Sequence, residues 1–345
     1  MSWTISRKIA DILDQGADFE GIDRDQALVL MRLETHSKAV YALMETANRM
    51  SRIQFNDKAE NHLHIGINVS ACPFNCRFCS LAENARIFTD PVEFSEARIL
   101  KWVREAEQNG VDALNLMTTG TYSFERFLDF GRSLSKETDI PLVANTRDVT
   151  LREAEKLAEA GFVGAYHAVR LGEGRDTPFH VGHRIQTILS LKKAGLKWMN
   201  CIEPVGPEHS YEEIVDLMLL ARQYKAVYSG VMRRVNFPGS PMQPCGMISE
   251  LEMAKMVAVS RLIMGDVCSA HCTQEPHTAS LIAGANLFFP EVGASPRDCQ
   301  ADTGMGRGKT VSECRRIFRE MHWDPDLPSN CFEAQPSGGL RSQSV

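Results

Sequence analysis

The stretch LHIGINVSACPFNCRFC, residues 63–79, joins two unlike patterns. Its first nine residues, LHIGINVSA (63–71), form a short β-like run, and the next eight set Cys72, Cys76 and Cys79 in a CxxxCxxC spacing. Similar runs return at DALNLMTTG (112–120), PLVANTR (141–147), GAYHAVRLG (164–172), KWMNCIEPVG (197–206), SGVMRRVNFPG (229–239), DVCSAHC (266–272) and NLFFPEVGA (286–294). Between them lie amphipathic stretches such as ARILKWVREAEQNG, LREAEKLAEAG, IQTILSLKKAG, YEEIVDLMLLARQY and SELEMAKMVAVSRLIM. Several end in Gly, as helix C-termini do. Strands alternating with crossover helices make parallel βα units, and eight such strands predict an α/β fold of the (β/α)₈ TIM-barrel type. In that architecture chemistry sits on loops at the strand C-termini, which is where the three cysteines fall.

Toward the N-terminus, Ile5, Ile9 and Ile12, then Ala27, Leu30 and Met31, then Val40, Leu43 and Ala47 recur at mostly three- and four-residue spacings. Residues 1–60 are therefore expected to be helices packing on a barrel of residues 61–295. A C-terminal extension, 296–345, holds PRDCQADTGMGRGK, a short helix near 311–321 and a polar tail whose last ten residues, PSGGLRSQSV, are expected to be disordered. GMGRGK (304–309) lacks the four-residue gap of a P-loop and reads as a flexible turn or an anion contact through Arg307.

Hydrophobic residues make up 43% and charged residues 24%, which are ordinary globular proportions. A net charge of -6 gives no electrostatic reason to expect a nucleic-acid or membrane partner, so a small-molecule substrate is expected. The N-terminus lacks a signal-peptide core and no run of 18 apolar residues occurs, so the expected location is cytoplasmic. Ten cysteines in such a compartment point to metal rather than disulfides.

Thiolates suit iron–sulfur clusters, and three ligands for a four-iron cluster leave one iron open to a chelating molecule. Pro73 stiffens the loop and Phe78 supplies an aromatic face before the last ligand. The alternative, a closed zinc site, lacks a nearby fourth cysteine and needs His62 or His64 to complete it. CxxxCxxC with an aromatic before its last Cys, after the first strand of a βα barrel, resembles the radical S-adenosylmethionine (SAM) superfamily.

That resemblance implies a [4Fe-4S] cluster whose open iron binds the amino and carboxylate groups of SAM. One electron then yields methionine and a 5′-deoxyadenosyl radical. The reductant implied is a flavodoxin or ferredoxin. Carried onto this sequence, Thr118, Thr119 and Gly120 stand where the family's turn meets the methionine amine, although they depart from its usual Gly-Gly-Glu. Arg170 and Glu173 stand where relatives place charge against the SAM carboxylate or ribose, the plain alternative being surface charge. The segment from Ile202 to Glu208, with Ile202 and Gly206 as its cofactor candidates, resembles the one along the adenine, the alternative being a Pro/Gly turn.

Within the superfamily, ACPFNCRFC, LKKAGLKWMNC, RVNFPGSPM and ASLIAGANLFF resemble the biotin synthase group, which inserts sulfur at unactivated carbon from a second cluster. Biotin synthases of the well-known type hold that donor with cysteines on the second, third and fifth strands plus an arginine. Here Met117 and Thr118, then Asn145 and Thr146, occupy the first two places, while Cys201 is at or beside the third and Cys268 near the arginine. The expectation is a second iron–sulfur cluster built from Cys268 and Cys272 with Cys299, Cys314, Cys331 or Cys201, the C-terminal three folding back over the catalytic mouth. Any one of these can equally be a small buried hydrophobe. Asn68, Asn115, Asn145, His167, Arg233 and Asn236 are the candidate substrate ligands, because buried polar groups need partners.

Sulfur insertion into dethiobiotin, or a lipoyl-synthase-like reaction on an octanoyl group, is the expected activity. A hydrogenase-maturase or methylornithine-synthase type of enzyme is the alternative, which VRLGE on the fourth strand resembles. A non-catalytic metal-binding assembly protein is a third. A homodimer is left open.

Overall fold

The structure, a computed structural model, describes residues 5–332 apart from Gln274 and Pro276, and the tail PSGGLRSQSV lies outside the described residues. Eight parallel strands follow one another: Glu60–Gly66, Ala113–Met117, Leu142–Asn145, Phe162–Tyr166, a fifth in two pieces (Lys197–Met199 and Ile202–Val205), Tyr228–Arg233, Ala270–Cys272, and an eighth in two pieces (Leu287–Phe288 and Glu291–Gly293). Each pairs with the next, and the eighth pairs back on the first, so the sheet closes. The fifth strand closes its part of the ring by dividing its bonds. Lys197–Met199 pairs with the fourth strand and Ile202–Val205 with the sixth. Between them, Val227 N donates to Trp198 O at 2.8 Å and Asn200 N to Tyr228 O at 3.2 Å.

The (β/α)₈ reading therefore holds, with shifted strand ends. The first strand starts at Glu60, not Leu63, because Glu60 N donates to Asn286 O at 2.7 Å. Leu63, Ile65, Leu114, Leu116, Leu142 and Ala144 point outward to one part of the helical shell, while Val143, Tyr166, Cys201, Tyr228, Cys272 and Phe289 fill the barrel. Burial on both faces is what parallel strands covered by helices require.

Helices α1 (Arg7–Ala17), α2 (Arg24–Met31) and α3 (Lys38–Phe55) pack with α8 (Tyr211–Gln223) and α9 (Glu250–Met264) in one apolar layer. Sandwiched in this way, α9 is buried continuously from Met253 to Met264, and Arg261 is held by Ser51 Oγ at 2.8 Å and Gly265 O at 2.7 Å.

The extension departs from expectation. Helix α11 (Val311–Glu320) lies beside the first strand, and the chain then crosses the N-terminal end of the barrel as a strap. Ala59 N donates to Asp324 O at 2.9 Å, Lys58 Nζ to Pro325 O at 3.2 Å and Lys197 Nζ to Cys331 O at 2.6 Å. GMGRGK is a bonded turn, with Arg307 paired to Glu291 at 3.1 Å and Glu275 at 3.4 Å. No described helix is long and apolar enough to cross a membrane.

Candidate active site

The loop after the first strand folds on its own backbone. Cys72 N donates to Leu81 O at 2.8 Å, Cys79 N to Cys76 O at 3.0 Å and Glu83 N back to Cys72 O at 3.0 Å. Asn75, at φ 50°, makes the reversal, and its side-chain oxygen accepts from Asn84 N at 2.8 Å. Ser80 N and Oγ fasten the loop to Pro296 O and Ser295 O, at 2.9 and 3.2 Å. All three thiols face one cavity at the C-terminal mouth, with Phe74 and Phe78 beside them.

Among the described residues the three thiols are not gathered within the 4.8 Å that a single ion needs. Among those residues the cavity lining offers these three thiols and no fourth cysteine, the donor set that leaves one iron of a four-iron cluster open. Burial raises the Cys76 thiol, and burial with the neighbouring Cys76 charge pushes Cys79 up to about 12. Such thiols release their protons to a bound cation rather than to water.

The second strand ends in the predicted turn, and Thr118, Thr119 and Gly120 all line the cavity. Thr119 is fixed by Asn68, whose Nδ2 donates to its hydroxyl at 2.7 Å and whose Oδ1 accepts from its backbone N at 3.0 Å. Asn68 thus serves the turn instead of facing a substrate. A Cβ on Gly120 would come within 2.1 Å of the Phe74 ring, so glycine there lets the cluster loop settle against the turn.

Arg170 lines the cavity and donates through Nε to Glu203 Oε1 at 3.2 Å, which also accepts from Tyr166 OH at 2.6 Å. Burial works against the Arg170 charge, but Glu203, Tyr166 and Cys76 hold its pKa above the ordinary value. Glu173 is buried behind it, accepting from Arg184 Nε at 2.9 Å and from Thr177. It orients Arg184, a cavity residue whose Nη1 bonds Asp148 at 2.6 Å.

Asn115 and Asn145 line the cavity as expected for substrate ligands. Other candidates sit one residue from the side chain that does. His167 turns away to Asp148 at 3.2 Å while Tyr166 faces in, and Arg233 is taken by Glu275 at 2.6 Å while Arg234 faces in. Ile202 packs in the outer shell while Glu203 faces in. Side chains alternate across a strand, so one step of register reverses the face. Asn236 accepts from Arg234 Nε at 3.2 Å, and Gly206 packs against the Arg234 guanidinium outside the cavity lining. His64, which the sequence offers only as a zinc ligand, lines the cavity with Nε2 unpartnered. Burial lowers its pKa, so the ring is neutral.

The six further cysteine candidates do not come together. Cys201 and Cys272 meet inside the barrel, Sγ to Sγ 3.5 Å. Cys268 packs in the shell, Cys314 on α11 in another apolar layer, Cys299 is exposed, and Cys331 lies in the strap at the opposite end from the triad. The strap runs under the barrel, which is why Cys331 does not fold over the mouth.

The family model for the radical SAM superfamily matches residues 69–248. The chain is 28% identical over 263 residues to a biotin synthase of Rippkaea orientalis, covering 70% of each chain. It is 26% identical over 270 residues to that of Geotalea daltonii, covering 74% of this chain and 79% of the relative. Among solved structures, methylornithine synthase superposes with a TM-score of 0.75 at 17% identity, covering 92% of this chain and 97% of that one. The [FeFe]-hydrogenase maturase HydG does so at 0.74 and 12%, covering 95% and 77%. The closed barrel, the three thiols on its first loop and a family match over more than half of the chain agree: this protein belongs to the radical SAM superfamily and is a radical SAM enzyme.

Proposed function

We propose that this enzyme inserts sulfur at an unactivated carbon of a small polar substrate, in the manner of biotin synthase acting on dethiobiotin. The observation that carries the finer reading is the Cys201–Cys272 pair, two thiols 3.5 Å apart contributed by the fifth and seventh strands. They share the barrel interior with Tyr166 and Phe289, which line the cavity. They are the thiols closest in character to a donor site, and a cluster on them draws its other ligands from groups besides cysteine.

Cys72, Cys76 and Cys79 would hold the SAM-binding cluster, with Thr118, Thr119, Gly120, Phe78 and Arg170 around the cofactor. Bound there, cluster and SAM supply the radical that removes hydrogen. The chain's own part is positional. Glu203 fixes Arg170 and Tyr166, while His64 Nε2 and Asn115 Oδ1, buried without partners, offer a polar substrate its hydrogen bonds. A flavodoxin or ferredoxin would deliver the electron.

One observation favours a second reading, a maturase- or mutase-like enzyme without sulfur transfer. Among the described residues, the triad supplies all the cysteines of the cavity lining. Iron and sulfide analysis of anaerobically reconstituted Cys72→Ala/Cys76→Ala/Cys79→Ala protein separates the two. Retention of about four iron atoms supports a second [4Fe-4S] cluster, and complete loss favours the one-cluster enzyme. Reduced wild type that makes no 5′-deoxyadenosine from SAM sinks both and leaves the assembly protein.

A further inference from the structure

The barrel floor holds a second, chemically different cluster of ligating side chains. Glu60 opens the first strand, His62 follows on the same inward face, and Cys331 is brought over them by the strap. One ligand atom from each lies within 4.8 Å of the others, and all three residues are buried. Glu60 Oε2 and His62 Nε2 are 3.2 Å apart, close to the separation of two ligands on one tetrahedral ion with bonds of about 2.0–2.2 Å.

Two unsatisfied atoms lie at the same place. His62 Nδ1 and the Tyr228 hydroxyl are buried without hydrogen-bond partners, and the two rings pack edge-on with centroids 5.5 Å apart. The floor is thus polar as well as buried, and buried charges are paired or coordinate metal.

We propose that Glu60, His62 and Cys331 form a mononuclear divalent-metal site, with zinc as the preferred ion, that pins the C-terminal strap to the barrel floor. One thiolate, one imidazole and one carboxylate are a zinc donor set. One thiolate and one carboxylate also neutralise a divalent charge, so the filled site carries no net charge in the buried floor. The carboxylate is already oriented, accepting from Ser329 Oγ at 2.8 Å and Asn330 N at 2.6 Å.

Metal analysis of the reconstituted, gel-filtered holoenzyme tests this. About one zinc per chain is expected beside the cluster iron, lost in Cys331→Ser and His62→Gln while the cluster iron stays, as a single three-ligand site requires. Cobalt(II) added to full-length Cys72→Ala/Cys76→Ala/Cys79→Ala protein should give a thiolate-to-cobalt charge-transfer band that Cys331→Ser abolishes. Wild type without stoichiometric zinc overturns the proposal, and so does a triple-alanine protein without that band. So does zinc or a band that survives both Cys331→Ser and His62→Gln.

Discussion

The two ends of the barrel are built from the same strands but give their charged side chains different surroundings, open space at the mouth and a covering strap at the floor. On the first strand alone, His62 points into the floor and His64, two residues on, into the mouth. At the mouth, Arg147, Arg170, Arg184, Arg234 and Arg297 each hold a carboxylate and still line open space, and His64 and Asn115 keep unpartnered atoms. At the floor, the strap covers the strand ends, and Lys58, Asp112, Asn286 and Lys197 spend their hydrogen bonds on the protein. A TIM barrel commonly divides its labour this way, with chemistry at the strand C-termini and stability at the N-termini. Substitutions should therefore cost activity at the mouth and stability at the floor.

The largest effect expected is at the mouth. Cys72→Ala, Cys76→Ala or Cys79→Ala should abolish 5′-deoxyadenosine formation, because loss of one thiolate undoes a three-point hold on the cluster. The thermal midpoint of the cluster-free chain should hardly move, since all three cysteines are only half-buried. A parallel collapse in the midpoint would mean that the loop is structural.

At the floor the order of effects reverses. Lys58 is 2% exposed and bonds Asp112 Oδ1 at 2.7 Å. Asp112→Ala strands that ammonium and should cost about 3–5 kcal/mol in urea unfolding, the usual penalty for breaking a buried pair. SAM cleavage per folded molecule should stay near the wild-type value. Turnover that falls as steeply as stability would show the floor coupled to the mouth.

Gly120→Ala tests the contact between turn and cluster loop. Overpacking of this kind costs about 1–3 kcal/mol, and here the strain falls on Phe74. The expected signature is a raised KM for SAM, with cluster iron retained. An unchanged KM would separate the turn from cofactor binding.

Most of the barrel was legible because its signals are local. Gly110, Gly161 and Gly195, at φ 67°, 94° and 80°, end helices where the sequence places them, and the β-like runs all became strands. The cysteine spacing lies on one loop, so the triad was legible too. Parity was not. Tyr166 and His167, Arg233 and Arg234, and Ile202 and Glu203 are neighbours of similar polarity or similar claim to the interior, and only the register assigns their faces. The floor was hidden for another reason. Glu60 meets Ser329 across 269 residues, and no local pattern encodes a return of that length.

Acid and neutral pH should load the two ends differently, because a shift of about two pKa units is worth about 3 kcal/mol per group before solvent screening. At the mouth, burial works against Asp148, Glu153 and Glu275, but His167 and Arg184, Arg147 and Thr150, and His277 and Arg233 bring them down to about 2. Lowered folded pKa values give stability that is complete above the ordinary carboxylate range and lost as pH falls from about 4 toward 2. At the floor, burial and the Glu60 charge push Asp112 up to about 6 against the pull of Lys58. A raised carboxylate pKa gives the opposite sign, with stability present below about 4 and lost as pH rises toward 6. Asp112→Asn should remove the loss between pH 4 and 6 and leave the one below pH 4 intact. Urea midpoints at stepped pH read both, and if Asp112→Asn moved the acid limb instead, the two ends would share one electrostatic network.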